Sequence, residues 1–205
     1  MARYRGPKNR IARKFGVNIF GKFRNPLLHK PNPPGMHGAK RKKKSDYGTQ
    51  LEEKQKLRAV YGMLSQKQLI KAYNQAAKNP ENTSHVFLEL LESRLDNIVY
   101  RLRFGSTIFA AQQLVSHGHI FVNGKRVDRR SFRVKPGMTI SVKKESQNIK
   151  AIQIATQNTS VEVPDYLTLS DQFTGKMEAA PAYDLISLPL PINVPLVCEF
   201  IGHTA

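Results

Sequence analysis

The sequence predicts an α+β protein with a basic N-terminal extension, an all-helical domain, and a helix-turn-helix that is followed by a small antiparallel sheet. Three patterns predict this fold class. Residues 1–44 hold five glycines and five prolines, which disfavour long helices and strands. Apolar residues then recur at helical spacing as far as residue 102. Asn123-Gly124 suits a type I′ hairpin turn, because both central residues of that turn need a positive φ.

Charge is the outlier in the composition: 33 Lys and Arg residues against 15 Asp and Glu residues give a net charge of +18. The net charge is +14 over residues 1–58, zero over 59–92, +9 over 93–150 and −5 over 151–205. A field of this sign attracts polyanions, because each neutralised phosphate releases a counterion. Two basic segments separated by a neutral one predict bipartite binding of nucleic acid. A merely solvated basic surface would need more acidic partners than the chain has.

Several functional classes are disfavoured. Cys198, the single cysteine, lies in an apolar, strand-like stretch and has no internal disulfide partner, so we expect a reducing compartment. No apolar run reaches about 18 residues, and none follows the basic N-terminus, so we expect neither a membrane span nor a secretory signal. His117 and His119 lack a cysteine or carboxylate cluster, so we expect no metal. No phosphate-binding loop or nucleophile motif indicates a cofactor or an enzyme.

We expect the chain to have three parts. Residues 1–44 form the extension, residues 45–92 form the helical domain together with 186–205, and residues 93–185 hold a binding module, with its core at 93–142, and an extra β and loop segment. The extension should be poorly ordered alone, because its cations repel one another, and should fold against a polyanion. Aromatic residues within it favour docking over a flexible tail. They are Tyr4, Phe15, Phe20 and Phe23.

Polar residues before apolar stripes predict three helices in residues 45–92. The predicted N-caps are Ser45 or Asp46, Ser65 and Ser84, and the first two helices end near Gly62 and at Asn79-Pro80. From Ser93 the helical stripe continues or restarts as a fourth helix. This helix ends at Phe104-Gly105, where the glycine supplies a left-handed cap.

A fifth helix and two hairpins complete the module. Ser106 or Thr107 caps the helix, which closes at Gly118. The first predicted hairpin joins residues 120–122 to 125–127, and the second joins 132–134 to 138–142 through Lys135-Pro136-Gly137.

Cations and amides crowd this segment. Guanidinium and amide groups on a rigid helix–hairpin surface suit phosphate and sugar contacts on structured RNA, although composition alone does not separate RNA from DNA. The candidate binding residues are Arg94, Arg101, Gln112, Gln113, His117, His119, Asn123, Lys125, Arg126, Arg129 and Arg130, with Arg103, Ser116 and Arg133 beside them.

Residues 93–142 closely resemble the RNA-binding module named after ribosomal protein S four. The match rests on Ser93-Arg94-Leu95-Asp96-Asn97, on residues 110–120 and on residues 122–127. The module also occurs in pseudouridine synthases, tyrosyl-tRNA synthetases and heat-shock RNA binders, so alone it implies only RNA.

Motifs along the rest of the chain resemble the bacterial-type S four family of small-subunit ribosomal proteins. They are residues 1–8, Pro34-Gly35-Met36-His37-Gly38, Ser45-Asp46-Tyr47-Gly48, residues 53–58 with Tyr61-Gly62, and residues 188–193 and 197–200. The resemblance covers essentially the whole chain, and only about 145–185 diverges. Many relatives carry four N-terminal cysteines that bind zinc. Residues 1–44 hold none, and Asn9 and Ala12 stand at the first two of those positions, so the resemblance implies a zinc-less form.

The resemblance implies a non-enzymatic, structural constituent of the small ribosomal subunit, in the cytoplasm or in a plastid. It implies binding to the 5′ domain of small-subunit rRNA, nucleation of the subunit body, and contact with ribosomal proteins S five and S twelve in a region that affects translational accuracy. No homo-oligomer is expected. The further rRNA-binding residues are Arg3, Tyr4, Arg5, Lys8, Arg10, Arg13, Lys14, His37, Lys54, Lys56 and Arg58.

In this family, basic residues after the Pro-Gly-x-His-Gly motif line the channel through which mRNA enters. Lys40 and Lys43 stand at matching positions. Arg41, Lys42 and Lys44 complete a run of five cations, which suits single-stranded phosphates. The alternative is a solvated basic loop.

Two other functions compete with this interpretation. An RNA-modifying enzyme that uses the module as an accessory needs a catalytic domain, and too little chain follows residue 142. A DNA-binding regulator needs a recognition helix and usually dimer symmetry, and the hairpin-rich module argues against it.

Overall fold

The structure is a computed structural model that describes residues 4–22, 24–40, 43–158 and 162–204. The chain is α+β, which confirms the predicted fold class. It forms two compact units: the first unit is residues 1–84 with 188–205, and the second unit is residues 85–187. The three-part division expected from the sequence stays a prediction. Among the described residues, no helix combines the length and the apolar content needed to cross a membrane.

The extension holds local structure where poor order was expected. Helix α1 (Lys8–Phe15) packs against the short helix α2 (Pro26–His29). The first helix ends at Gly16, whose φ of 68° lies in the left-handed region. Four apolar residues of this segment are buried, and they are Ala12, Ile19, Phe20 and Pro26. Glycines and prolines interrupt their spacing, so the hydrophobic pattern did not reveal this small core.

Two of the predicted N-caps in the helical segment are confirmed. Helix α3 (Asp46–Val60) begins after Ser45, whose Oγ accepts a hydrogen bond from the backbone N–H of Gly48 at 3.2 Å. Helix α4 (Gln66–Ala76) begins after Ser65, which accepts from the N–H of Gln68 at 3.4 Å. In each case a side-chain oxygen satisfies an N–H group that has no partner within the helix.

The predicted cap of the third helix was wrong. Helix α5 (Thr83–Glu92) begins earlier than expected, and the Oδ1 atom of Asn82 accepts from the N–H of Ser84 at 3.0 Å. Asparagine is as good an N-cap as serine, so the upstream residue takes this position. Ser84 is buried in the first turn, where its side chain hydrogen-bonds the thiol of Cys198.

The helix-turn-helix is present. Helix α6 (Leu95–Arg101) starts anew, and it packs against helix α7 (Ile108–Ser116), whose cap is Thr107. The left-handed residue after α6 is Arg103, with φ 62°, rather than Gly105 as predicted. Glycine is needed at 105 for another reason: a Cβ atom there would lie 2.8 Å from the backbone N of Ala111, where the loop after α6 passes close to α7.

One antiparallel sheet carries the five strands of the described residues. The strands are β1 (Ile120–Val122), β2 (Lys125–Arg126), β3 (Thr139–Val142), β4 (Leu167–Asp171) and β5 (Thr174–Met177), with helix α8 (Lys150–Gln157) between β3 and β4. Their order across the sheet is β2-β1-β3-β5-β4. The turn at Asn123 and Gly124 has φ angles of 49° and 75°, which confirms the first predicted hairpin.

The second predicted hairpin does not form. Strand β3 pairs with β1 and β5, so its second partner comes from the divergent segment. Residues 132–134 instead run beside the start of α6. The N–H of Leu95 donates to the carbonyl of Phe132 at 2.8 Å, and the N–H of Val134 donates to the carbonyl of Ser93 at 2.9 Å. The apolar pattern of residues 132–134 correctly predicted an extended backbone. The prediction that β3 is its partner was wrong.

The core of the second unit lies between the α6–α7 pair and the sheet. Apolar side chains of α6 pack with the inward-facing residues of β1 and β3. The fully buried residues among them include Leu95, Ile98 and Ile140. Tyr166, which precedes β4, belongs to the same core, so the divergent segment is part of the module rather than an appendage.

The chain ends in helix α9 (Val194–Thr204), which packs against α3 and α4. Cys198 lies on this helix, so its assignment to a strand-like stretch was wrong. Val194, Val197, Cys198 and Ile201 are buried at helical spacing. Prolines at 189, 191 and 195 hid that spacing in the sequence.

Candidate nucleic-acid interface

A buried ion pair lies at the start of the helix-turn-helix. The guanidinium of Arg94 donates from Nε to Oδ1 of Asp96 at 3.0 Å and from Nη2 to Oδ2 at 2.9 Å. The two side chains are 9% and 2% exposed. A bidentate ion pair of this kind is strong and directional, and it is shielded from solvent here.

The same carboxylate links α6 to α7 and to the loop after β2. Gln112 on α7 donates from Nε2 to Oδ2 of Asp96 at 3.3 Å, and its own Oε1 accepts from Nη1 of Arg130 at 3.1 Å. The N–H of Asp96 also donates to the carbonyl of Arg130 at 3.3 Å. We call Arg94, Asp96, Gln112 and Arg130 the Asp96 network. It fixes the loop that carries Arg129 and Arg130.

A second buried carboxylate, Glu92, lies at the end of α5. Its Oε1 accepts from Nε of Arg101 and from the hydroxyl of Tyr166, each at 2.8 Å. Burial, followed by the negative charge of Glu92, raises the pKa of the Tyr166 phenol far above its ordinary value. The phenol therefore stays a hydrogen-bond donor. Nη2 of Arg101 donates to the carbonyl of Ser187 at 2.7 Å.

Several predicted contact residues therefore lie inside the fold, where they have internal partners. Arg94, Gln112 and Arg101 take part in the two buried networks described above. Lys54 is 8% exposed, and its Nζ lies 4.2 Å from the centroid of the Phe200 ring. Burial, and then the charge of Arg58, lowers the pKa of Lys54. For these four residues the structure gives an internal role that composition did not indicate, because a buried polar side chain and an exposed one look alike in a sequence.

The exposed part of the module carries the remaining predicted residues. The guanidinium of Arg126 lies so close to Gly118 that any Cβ there would overlap it, and the φ of 74° at Gly118 also favours glycine. The Oδ1 atom of Asn123 accepts from the N–H of Thr139 at 2.8 Å and so holds the turn. We define the hairpin surface as the exposed or half-exposed residues Gln113, His117, Lys125, Arg126, Arg129 and Arg130.

His119 lies beside this surface. Its Nδ1 is 2.8 Å from the Oγ of Ser146, and its ring centroid is 6.0 Å from that of His117. Burial, followed by the charges of His117, Lys143 and Arg126, lowers the pKa of His119, so the imidazole is neutral at neutral pH. Lys143 is a basic residue of this group that the sequence did not single out.

The predicted residues of the extension are mostly exposed or half-exposed. Arg5 and Arg10 are exposed, and Tyr4 and Lys8 are half-buried. Arg13 has internal acceptors, since its Nε donates to the carbonyls of Lys30 and Asn32 at 3.0 Å. Lys14 and His37 are also exposed, and Arg3 lies outside the described residues.

The predicted cations in and before α3 also fall into two groups, those with internal partners and those that are exposed. Lys56 pairs with Glu53, and Arg58 donates from Nε to the carbonyl of Leu64 at 2.7 Å. Lys44 pairs with Glu52. Lys40 and Lys43 are exposed, and Arg41 and Lys42 lie outside the described residues.

In the part of the chain that the structure describes, no group of three His, Cys, Asp or Glu side chains could hold a metal ion. Hydrogen-bond donors and positive charge are concentrated in two places, the hairpin surface and the extension. Such groups bind phosphate and sugar oxygens. We find no nucleophile and base positioned to do chemistry among the groups described above.

We predict that Asp96→Asn destabilises the second unit by about 3–5 kcal/mol, because it leaves the buried guanidinium of Arg94 without its charged partner. Urea titration followed through the methyl signals of Val99 and Ile140 measures this loss. The matched control is Asp128→Asn, an exposed carboxyl in the same unit, which should change stability by less than about 0.5 kcal/mol. Equal effects of the two variants would show that the ion pair does not stabilise the unit.

Two family models match consecutive stretches of the chain. Residues 3–92 match the ribosomal protein S4/S9 N-terminal domain, and residues 93–140 match the S4 domain. The chain is also similar to small ribosomal subunit protein uS4 of several bacteria. It is 60% identical to that of Protochlamydia amoebophila (strain UWE25) over 100% of both chains. It is 60% identical to that of Chlamydia trachomatis serovar D and 56% identical to that of Chlamydia pneumoniae, over 99% of each chain.

Identity of this level along the full length exceeds what a shared RNA-binding module alone would give. Both the N-terminal domain and the module are matched, in the order and at the positions where the sequence motifs lie. The resemblance drawn from those motifs is thereby confirmed, and the chain belongs to the uS4 family of small ribosomal subunit proteins.

Proposed function

We propose that the chain binds the 5′ domain of small-subunit rRNA through the hairpin surface and the extension, and that this binding nucleates assembly of the subunit body. The observation that carries the proposal is the hairpin surface. Its cations project from β2 and from the loop after it, and the Asp96 network holds that loop from inside the unit.

Family membership supplies the wider role. The chain is a structural constituent of the small ribosomal subunit in the cytoplasm, it binds rRNA there, and it is not an enzyme. The relatives are bacterial proteins.

The geometry of the hairpin surface suits phosphate contacts. Lys125, Arg126 and Arg129 are exposed and lie within five consecutive residues, while Arg130 is oriented by its bond to Gln112. Pre-positioned guanidinium groups lose little conformational freedom when they bind an anion. A-form RNA is recognised largely through shape, phosphates and 2′-hydroxyls, for which such a surface is well suited.

The extension supplies a second set of cations on the same chain. Arg5, Arg10 and Lys14 are exposed, and the segment holds more basic residues than acidic ones. Two basic surfaces joined by one chain bind a folded RNA more tightly than either alone, because the second contact becomes intramolecular.

We predict that the triple variant Lys125→Gln, Arg126→Gln, Arg129→Gln weakens binding to a 5′-domain rRNA fragment. It should also reduce the slope of log affinity against log salt by about 2 to 3, because each lost phosphate contact removes about 0.7–0.9 from that slope. Filter binding over a salt series measures both quantities.

The control is the triple variant Lys144→Gln, Lys150→Gln, Lys176→Gln, which removes three charges elsewhere in the second unit. It should keep the native salt slope. An unchanged slope in the triple variant would contradict the role of the hairpin surface. Equal affinity of the native chain for rRNA and for duplex DNA at physiological salt would contradict RNA recognition itself.

We also propose that Lys40 and Lys43 contact mRNA where it enters the subunit, and that the chain contacts ribosomal proteins S five and S twelve in a region that affects translational accuracy. The exposure of both lysines supports the mRNA contact. The pairing of Lys44 with Glu52 makes that third lysine a weaker candidate.

Cross-linking on assembled subunits tests these contacts. We predict that an mRNA carrying 4-thiouridine cross-links to the native chain, and that Lys40→Gln with Lys43→Gln reduces this product while Lys144→Gln with Lys150→Gln does not. A lysine-reactive cross-linker should join the chain to proteins S five and S twelve. Equal mRNA cross-links in the two variants, or no product with either protein, would contradict the corresponding contact.

A further inference from the structure

A cleft in the extension brings Arg13, a predicted contact residue, together with three cations that the sequence did not single out, Lys22, Arg24 and Lys30. It lies beside α1 and α2 and has a volume of about 510 Å³. Its polar lining residues are Asn9, Arg13, Lys22, Arg24, His29 and Lys30. Among the described residues that line it there are four cations and no carboxylate.

Hydrogen bonds to neutral groups orient two of these side chains, Arg13 and Lys22. Arg13 donates from Nη2 to the carbonyl of Asn32 at 2.8 Å, besides its two bonds through Nε. Lys22 donates from Nζ to Oδ1 of Asn9 at 2.7 Å. Two of the four cations are therefore oriented by contacts within the extension.

The imidazole of His29 adds a polar group of defined tautomer. Its Nε2 accepts from Nε of Arg24 at 3.1 Å, so the proton of the neutral ring is on Nδ1. The bond also orients the guanidinium of Arg24.

The backbone of this segment is fixed as well. Asn18 donates from Nδ2 to the carbonyl of Lys22 at 2.8 Å and accepts from the N–H of Lys22 at 3.2 Å. Gly21, with a φ of 57°, completes that turn. Asn25 then caps α2 by accepting from the N–H of Leu27 at 3.0 Å.

Four cations around one concave site repel one another, and no lining carboxylate offsets this repulsion. A bound anion would remove it. A phosphate group fits best, because its several oxygens can accept from a guanidinium fork and from ammonium groups at the same time.

We propose that this cleft binds a single phosphate group, and specifically a phosphodiester of rRNA. The inference rests on the proposed rRNA-binding function and adds to it a defined phosphate site in the extension. Arg24 and Lys30 supply charge to the bound group, while Arg13 shapes the cleft through its bonds to the carbonyls.

The RNA arm of the test uses the full chain and a 5′-domain rRNA fragment. We expect Arg24→Gln with Lys30→Gln to lower affinity about tenfold or more and to reduce the salt slope by about 1.4 to 1.8, the loss of two phosphate contacts. The control, Lys144→Gln with Lys150→Gln, removes two charges from the second unit and should keep the native slope. Lys30→Gln alone breaks none of the bonds above, so it tests the site even if Arg24→Gln disturbs the fold. It should reduce the salt slope by about half as much as the double variant does.

The second arm titrates the full chain with inorganic phosphate and follows the side-chain NMR signals of Asn9 and Arg24. We expect saturable shifts in the native chain and in the control, and no saturation at Asn9 in the double variant. Shifts that rise linearly and equally in all three chains would overturn the site. Saturation by inorganic phosphate with an unchanged rRNA slope in the double variant would overturn the assignment to a phosphodiester. Absence of salt-dependent rRNA binding by the native chain would instead contradict the proposed function.

Discussion

The interaction on which the RNA-binding module depends is the buried carboxylate of Asp96. It accepts both donors of the Arg94 fork and the amide of Gln112, and through that amide it reaches Arg130. One side chain thereby links α6, α7 and the loop after β2. A buried charge that lost any of these partners would destabilise the unit, so the helix pair and the loop keep one relative arrangement.

This constraint separates two kinds of cation that look alike in the sequence. Arg94 and Arg101 neutralise buried carboxylates and hold the fold, whereas Lys125, Arg126 and Arg129 face solvent. The exposed set can bind phosphate because the buried set fixes its supporting backbone. The extension follows the same principle on a smaller scale, with Arg13 bound to backbone carbonyls beside Arg24 and Lys30 in the cleft.

Local features were predictable from the sequence, and long-range pairings were not. The caps at Ser45, Ser65 and Thr107 and the Asn123-Gly124 turn depend on neighbouring residues, so their residue types identify them. The pairing of β3 with β5 joins distant segments, and no residue near β3 indicates that partner. The burial of Arg94 depends likewise on partners from α7 and the 129–134 loop. The family was predictable because its motifs are spread along the whole chain.

The central claim is that the buried members of the Asp96 network, Arg94, Asp96 and Gln112, position the hairpin surface without contacting RNA themselves. Gln112→Leu tests it most directly, since the change keeps the net charge and a similar side-chain size while removing the side-chain link between Asp96 and Arg130. The measurement is the affinity of the folded variant for a 5′-domain rRNA fragment over a salt series. The account predicts a lower affinity with an unchanged salt slope, because positioning is lost and no cation is removed. Native affinity would contradict the claim, and a reduced slope would contradict it too, because it would show that the change removes a phosphate contact rather than the alignment of the surface.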